Sequence, residues 1–316
     1  VSMIESRAVR FHTTGEPLDV LLQERTEVAD PGEGRIRVRV AATGLNPADW
    51  ELCRGFMPGA LPRGIGCDVA GTVDAIGDGV DDVAVGDLVF GVSDFAAQPS
   101  AGVADFAILS LWFAVPSGLD AVHAATLPMV LQSAVWTLDL MDVRPGQTVL
   151  IHGAGGMVGF AAVQIALDRG ARVIATAGPT FAPDLESFGA AVTAYGTGMA
   201  GRVQALADAP IDHVLDVSRP NAGAVADLIS IVGDPKRVVT ISNHDEARTL
   251  GARVNIDELM AGGGFPSSGF LPGYAARAAA GTFRLPIAAT FPLDDWRAAA
   301  ELSLSGAPHG KVVLIP

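Results

Sequence analysis

The stretch Thr148 to Thr176, TVLIHGAGGMVGFAAVQIALDRGARVIAT, constrains this chain more than any other. A short β-branched and aliphatic run, Thr148 to His152, gives way to a glycine turn, then to the helix-forming run Val158 to Arg169, then to an apolar strand, Arg172 to Thr176. Gly153, Gly156 and Gly159 fall three apart in that turn. At this spacing one glycine permits a tight turn, one lets backbone N–H groups approach a pyrophosphate closely, and one lets the helix pack closely on the strand. Unpaired N–H groups at the helix N-terminus, reinforced by the helix dipole, favour the negative charge of a dinucleotide there. Gly170 stops the helix. The expected cofactor contacts are Gly153, Gly155, Gly156, Met157, Val158 and Gly159, with Asn243 joining them from beyond a later strand.

The end of the second strand bears on which dinucleotide is bound. A site for NAD places Asp or Glu there against the ribose hydroxyls, but this chain reads Thr176-Ala177-Gly178-Pro179-Thr180. With no carboxylate to repel a 2′-phosphate, NADPH is the expected cofactor, and Thr176 and Gly178 are its expected neighbours. No Lys or Arg lies in that turn, where charge-assisted bonds to phosphate would be strongest. Arg172 is at the wrong end of the strand, and Arg202 would have to arrive from a later segment. Tyr195, closing the third strand (Ala191 to Tyr195), suits a hydrogen bond or stack at the adenosine phosphate, or equally a strand-end tyrosine with a hydrated hydroxyl.

A chain of 316 residues exceeds what one core usually supports, so two domains are expected. Although 49% of residues are hydrophobic, none of the apolar runs approaches the ~18 uninterrupted residues of a spanning helix. A formal charge of -14 argues against nucleic acid, which requires clustered Lys and Arg. No signal-like segment opens the sequence, Val1-Ser2 ahead of Met3 reads as an expression remnant, and the cytoplasm is the default location. The two cysteines, Cys53 and Cys67, are too few for a thiolate cage and too far apart for a CxxC pair, and no His stands at ligand spacing to either. Both read as small apolar fillers, and no metal is expected.

Three zones follow along the chain. Residues 1–118 show short strands broken by Gly, Pro and Asp: Ile36 to Ala41, Asp68 to Ile76, Asp87 to Phe90 and Ala104 to Leu109. Arg35-Ile36-Arg37-Val38-Arg39-Val40 alternates with period two, as a half-exposed antiparallel strand does. Residues 119–284 alternate strand and helix, with Thr148 to His152, Arg172 to Thr176, Ala191 to Tyr195, His213 to Val217 and Arg237 to Ile241 as parallel strands. Near-continuous apolar strands such as Val149-Leu150-Ile151 fit a sheet covered on both faces. Residues 285–316 return to extended character, with a helix at Asp294 to Leu304 and a closing strand, Lys311 to Ile315. The segment from Gly262 to Gly269, GGGFPSSG, is either a lid over the nicotinamide or an exposed loop.

These residues resemble the medium-chain dehydrogenase/reductase superfamily, specifically its zinc-independent quinone oxidoreductase branch. The resemblance covers nearly the whole chain. It rests on Gly44-Leu45-Asn46-Pro47-Ala48-Asp49-Trp50, on Gly66 to Val73 (GCDVAGTV), on Val85 to Gly91 (VGDLVFG), on Arg144 to Gly153 (RPGQTVLIHG) and on Gly310 to Leu314 (GKVVL). It implies a GroES-like β-barrel domain built from both chain ends (1–118 and 285–316), a Rossmann doubly wound parallel sheet between them (119–284), a homodimer, and an active site in the cleft. Zinc-dependent members place a metal-binding Cys before Asn46, a His-Glu pair where Cys67-Asp68 stands, and a four-cysteine lobe, none of which occurs here. The glycine turn has Gly155 and Met157 where quinone reductases usually have Ala and Gly. Related enoyl-thioester reductases carry a tyrosine proton donor where this chain reads Arg54-Gly55-Phe56-Met57-Pro58.

The reaction implied is hydride transfer to a quinone or to a carbon–carbon double bond conjugated to a carbonyl. Without a metal, charge developing on the carbonyl oxygen must meet hydrogen-bond donors already aimed at it. By resemblance, the Asn46 amide is such a donor; alternatively Asn46 and Pro47 only shape a turn. Asp49 orients Asn46 or the substrate, or simply caps the short helix from Trp50. Tyr274, in the helical stretch Leu271 to Ala280, is a further candidate proton donor, with water as the alternative. His152 reads as a structural residue beside the turn, and His12, His244 and His309 as loop residues. Three functions are consistent with these residues: an NADPH-dependent quinone or enone reductase on a small-molecule substrate, an enoyl reductase acting in trans on a biosynthetic or carrier-bound intermediate, and a non-catalytic NADPH-binding protein.

Overall fold

Alternating exposed and buried side chains in the first third of the chain become antiparallel strands in the computed structural model, which describes residues 3–94, 101–306 and 308–316. Val1 and Ser2 lie outside the described residues. The strands are β1 (Met3–Phe11), β2 (Leu21–Ala29), β3 (Ile36–Gly44), β4 (Arg63–Gly64), β5 (Asp68–Ile76), β6 (Leu88–Ser93) and β7 (Phe106–Ala114). The nine-residue hairpin partners β1 and β2 escape sequence reading because charged residues interrupt their apolar alternation. In β3 the expected alternation holds for Ile36, Val38 and Val40, all buried, but Arg37 is buried too. β3 is paired along both edges, by β5 on one side and β7 and β15 on the other, so its backbone groups are satisfied, while Arg39 remains exposed. The Arg37 guanidinium is neutralised there by Asp74 at 2.7 Å and Asp30 at 3.2 Å.

The parallel strands follow as β8 (Thr148–His152), β9 (Arg172–Thr176), β10 (Ala191–Thr193), β11 (His213–Asp216), β12 (Val238–Thr240) and β13 (Arg253–Val254), then β14 (Ile287–Pro292) and β15 (Lys311–Ile315). The sheet order β10-β9-β8-β11-β12-β13 reverses direction of winding between β8 and β11, which is the doubly wound dinucleotide-binding arrangement. β8 is buried at every position, as a sheet covered on both faces requires. The helix Met157–Asp168 packs on β8 and β9. It is buried continuously from Gly159 to Ala166, with Phe160 meeting Phe181 and Phe188 edge-on at 5.3 Å each. β13 is two residues long, too short for any period to announce it.

By internal contact the chain divides into one unit of Val1–Met129 with Gly269–Pro316 and another of Val130–Ser268. These bounds differ from the expected 118/119 and 284/285. Residues 119–129 and 269–284 join the first unit because the helix Ala121–Ala124 packs on β3 and β5, and the helix Leu271–Ala279 on β7. In the first unit, the second sheet runs β14-β15-β3-β5-β6-β7, and the further pairing of β3 with β7 closes a circuit through β5 and β6. β15 lies between β14 and β3, so the last strand of the chain is interior to a sheet begun near residue 36. The helical stretch Ala121–Leu140 has the length and hydropathy of a membrane span, but 67% of its apolar 18-residue window is buried within the protein, as a core helix is.

Candidate active site

The glycine turn has the shape its spacing implies. Gly153 has φ 89°, and a Cβ on it would stand 2.7 Å from the Ser218 backbone. A Cβ on Gly159 would stand 2.7 Å from the Ala154 Cα, so the helix approaches the strand as closely as backbone allows. Gly155 and Gly156 face the other way: the nearest atoms to a Cβ there are at 4.0 and 3.5 Å. Gly156 is the N-cap of the twelve-residue helix Met157–Asp168 and brings no side chain to cap it. The first turn, Met157, Val158 and Gly159, thus begins a helix that no side chain caps, the kind of N-terminus that favours an anion. Beneath the turn, Thr176 Oγ1 accepts the Gly153 N–H at 3.1 Å and pairs with His152 Nδ1 at 2.7 Å. Burial lowers the His152 pKa, so this imidazole is a neutral brace.

Beyond the ends of β9 and β10 lies a cleft of about 370 Å³ whose lining includes Gly178, Pro179, Thr193, Tyr195 and Glu186. Tyr195 is exposed, and its hydroxyl lies 3.9 Å from where a Gly178 Cβ would be. Glu186 was missed by sequence reading because it comes from the following helix, Ala182–Phe188, and not from the strand end. Arg202 does arrive near this cleft, but its guanidinium is committed to the carbonyls of Ala194 and Thr197, both at 2.8 Å, and to Tyr195 at 3.3 Å. It shapes the loop instead of offering itself to phosphate. Asn243 likewise spends its amide inside the protein: Nδ2 donates to Asp216 at 2.7 Å and Oδ1 accepts the Asn221 N–H at 2.8 Å. Asp216 also accepts from Thr240 and Ser218, tying together the loops that follow β11 and β12. His244 begins a helix, His244–Leu250, where a loop was expected.

In the first unit the Asn46 segment builds a buried polar cluster. Asn46, not Asp49, is the N-cap of the helix Pro47–Cys53. Asp49 is its third residue, and Oδ2 reaches back to the Asn46 N–H at 2.8 Å, the acidic half of a capping box. Its Oδ1 accepts the N–H groups of Gly66 at 2.8 Å and Cys67 at 3.3 Å. Asn46 is 3% exposed, and both amide hydrogens are used, on Asp68 Oδ2 at 3.0 Å and on the Gly44 carbonyl at 3.2 Å. The expected donation from Asn46 to a substrate oxygen has no hydrogen left to make it. Asp68 was weighed from sequence only as part of a metal site, and Lys311 only as part of a closing strand. Lys311, from β15, donates to Asn46 Oδ1 at 2.6 Å and stands 3.6 Å from Asp68. Asp68 also accepts the Met129 N–H at 2.9 Å, at the start of the helix Pro128–Leu140. Burial raises Asp68 to about 6 against the attraction of Lys311, and lowers Lys311 against the attraction of Asp68.

These donors do not suit a zinc ion. Among the described residues no group of three or more His, Cys, Asp and Glu is gathered as a metal requires. Asp49 and Asp68 are occupied by N–H donors, and an ammonium already supplies the positive charge. Cys53 and Cys67 are free and buried in the apolar core, with burial pushing Cys53 up to about 12 and Cys67 well above its ordinary value. Tyr274 lies elsewhere in this unit, its ring against Phe283 at 5.2 Å and Phe270 at 6.4 Å, with the Arg277 guanidinium 5.4 Å from its centroid. The segment 262–268 is held to its own unit: Phe265 stacks on Trp136 at 5.4 Å, the Trp136 indole N–H donates to Ser267, and Gln132 donates to Ser268 at 2.8 Å.

Residues 32–108 match the alcohol dehydrogenase GroES-like domain family, and residues 188–314 match a family described as zinc-binding dehydrogenase. The chain is 42% identical over 157 residues to erythronolide synthase EryA2 of Saccharopolyspora erythraea, a match spanning 49% of this chain and 4% of that protein. It is 36% identical over 176 residues to the quinone oxidoreductase of Sus scrofa, spanning 54% of this chain and 52% of that protein. The structure of the quinone oxidoreductase from Coxiella burnetii superposes with a TM-score of 0.82 at 24% identity, covering 99% of this chain and 100% of that one. Fold, glycine turn and relatives agree: the chain belongs to the medium-chain dehydrogenase/reductase superfamily of oxidoreductases, whose reactions use a nicotinamide cofactor.

Proposed function

We propose that this protein is an NADPH-dependent, zinc-independent reductase that transfers hydride to a quinone or to a carbon–carbon double bond conjugated to a carbonyl. The observation that carries the reading is the turn at Gly153 to Gly159, where close backbone approach on one side leaves open N–H groups on the other. Bound reduced nicotinamide supplies the hydride. The chain's own part begins with the pyrophosphate, held by the N-terminus of the helix Met157–Asp168. The absence of a carboxylate in Thr176 to Thr180, with the Tyr195 hydroxyl beside Gly178, supports a 2′-phosphate there. Asn243, through Asp216, keeps the loops after β11 and β12 in register with that turn. Asn46 and Asp49 act by shaping the segment between β3 and β5, and water is the proton source. Zinc plays no part in this reading, since the Cys67-Asp68 segment is filled by Lys311 and its partners.

A titration comparing NADPH with NADH, followed by coenzyme oxidation against a panel of quinones and α,β-unsaturated ketones, tests this. Tighter NADPH binding with turnover of at least one acceptor class is expected; coenzyme binding with silence across the panel sinks the substrate assignment. The similarity to part of erythronolide synthase favours a second reading, an enoyl reductase acting in trans on a biosynthetic or carrier-bound intermediate. Enoyl thioesters in the same panel separate the two.

A further inference from the structure

Lys311 is the last charged residue of the chain, yet its side chain is 4% exposed and its Nζ lies 2.6 Å from Asn46 Oδ1 and 3.6 Å from Asp68. We propose that Lys311 is a positioning residue for the reduction: its buried ammonium keeps Asp68 charged, and Asp68 in turn ties the Asn46 turn to Met129, where the chain leaves the first unit. The inference rests on the reductase reading above.

The argument is one of donors and acceptors. Asp68 is fully buried, with Oδ2 facing the Asn46 amide N–H at 3.0 Å and Oδ1 facing the Met129 N–H at 2.9 Å. Both of these partners can only donate, so a proton placed on either oxygen finds no acceptor and displaces one of the two ties. Asp68 must therefore be ionised for the cluster to hold. The charged groups around it are Lys311 from β15 and Asp49 from the helix Pro47–Cys53, with the Cys67 thiol adjacent in sequence. Asp49 repels it and has three N–H donors of its own, so the stabilising charge is that of Lys311. Even with that help burial leaves Asp68 at about 6, within reach of ordinary working pH. The same ammonium fixes the Asn46 amide: with Oδ1 held by Lys311, Nδ2 must point at Asp68 and Gly44.

The test is the pH profile of turnover, with NADPH and whichever acceptor the panel yields, for the wild type, K311M and D68N. Wild-type kcat is expected to fall as pH drops through about 6, because protonation of Asp68 breaks a tie. K311M should lose roughly two- to tenfold in kcat at pH 7, with KM for coenzyme little changed, as its inflection moves about one to two pH units toward alkaline. D68N should show no inflection in this range. A K311M profile that is lower but has its inflection where the wild type has it would mean a merely structural lysine and overturn the proposal. If K311M does not fold, D68N decides: an inflection persisting in D68N overturns it as well. Hydrogen exchange at the Met129 amide, corrected for intrinsic pH dependence, needs no turnover. Protection lost below about pH 6 in the wild type but flat in D68N supports the tie even if no acceptor is reduced, which separates a failure of the reductase reading from a failure of this one.

Discussion

A carboxylate at the end of β9 is the usual residue-level mark of coenzyme choice, and here the acidic group comes instead from Glu186, one helix later. Its exposed carboxylate shares a cleft with Gly178 and Tyr195, and on the NADPH reading its charge opposes a 2′-phosphate there. E186Q is therefore expected to tighten NADPH about 2- to 5-fold and leave NADH nearly unchanged, the ~0.5–1 kcal/mol of a solvent-screened charge pair; fluorescence titration of the two coenzymes reads this directly. Asn46 shows how little a motif says about hydrogen bonds. Its type and place were legible, but the spending of both amide hydrogens depends on Gly44, Asp68 and a lysine 265 positions away. Lys311 sits in a recognisable GKVVL run that carries no sign of a buried charge.

At the scale of elements, the strand–turn–helix of Thr148 to Asp168 was read to within a residue at both ends because local forces decide it: a glycine turn, an apolar strand and a helical run free of proline. Two substitutions in that turn separate packing from binding. In G159A the new methyl meets the Ala154 Cα at 2.7 Å, so a loss of roughly 1–3 kcal/mol of stability is expected together with weakened coenzyme binding. In G156A the methyl meets nothing nearer than 3.5 Å and φ is −83°, an ordinary value. Thermal stability should change by less than about 1 kcal/mol, the scale of an N-cap change, while coenzyme affinity falls because the methyl occupies the open side of the turn. Equal losses of stability in both variants would contradict the assignment of the two faces. The helix Pro47–Cys53 was legible in outline, but its cap was misplaced by three residues. Asn46 and Asp49 are both good capping types, and only the reach of Asp49 back to the Asn46 N–H shows which role each has.

At the scale of the molecule, the first unit depends on a strand far in sequence from the one it joins. β15 pairs with β14 in parallel and with β3 antiparallel, and it delivers Lys311 to the Asn46 cluster. Deleting residues 308–316 is expected to abolish hydrogen-exchange protection in β3 and β14 while β8, β9 and β11 keep theirs, since the parallel sheet draws no strand from that segment; retained protection in β3 would show that the return strand is dispensable. The chain's sequence determined what nearest neighbours along it determine: the alternation of strand and helix from Thr148 onward, the anion-binding turn, the return of the C-terminal segment to extended structure, and the family. The tertiary structure alone decided which polar groups meet. Periodicity and spacing report interactions over a few residues, whereas the Asp68–Lys311 pair, the commitment of Asn46 and Asn243, and the entry of Glu186 into the cleft beyond β9 and β10 arise where segments distant in sequence are brought together, and burial then shifts the charge equilibria of Asp68 and Lys311.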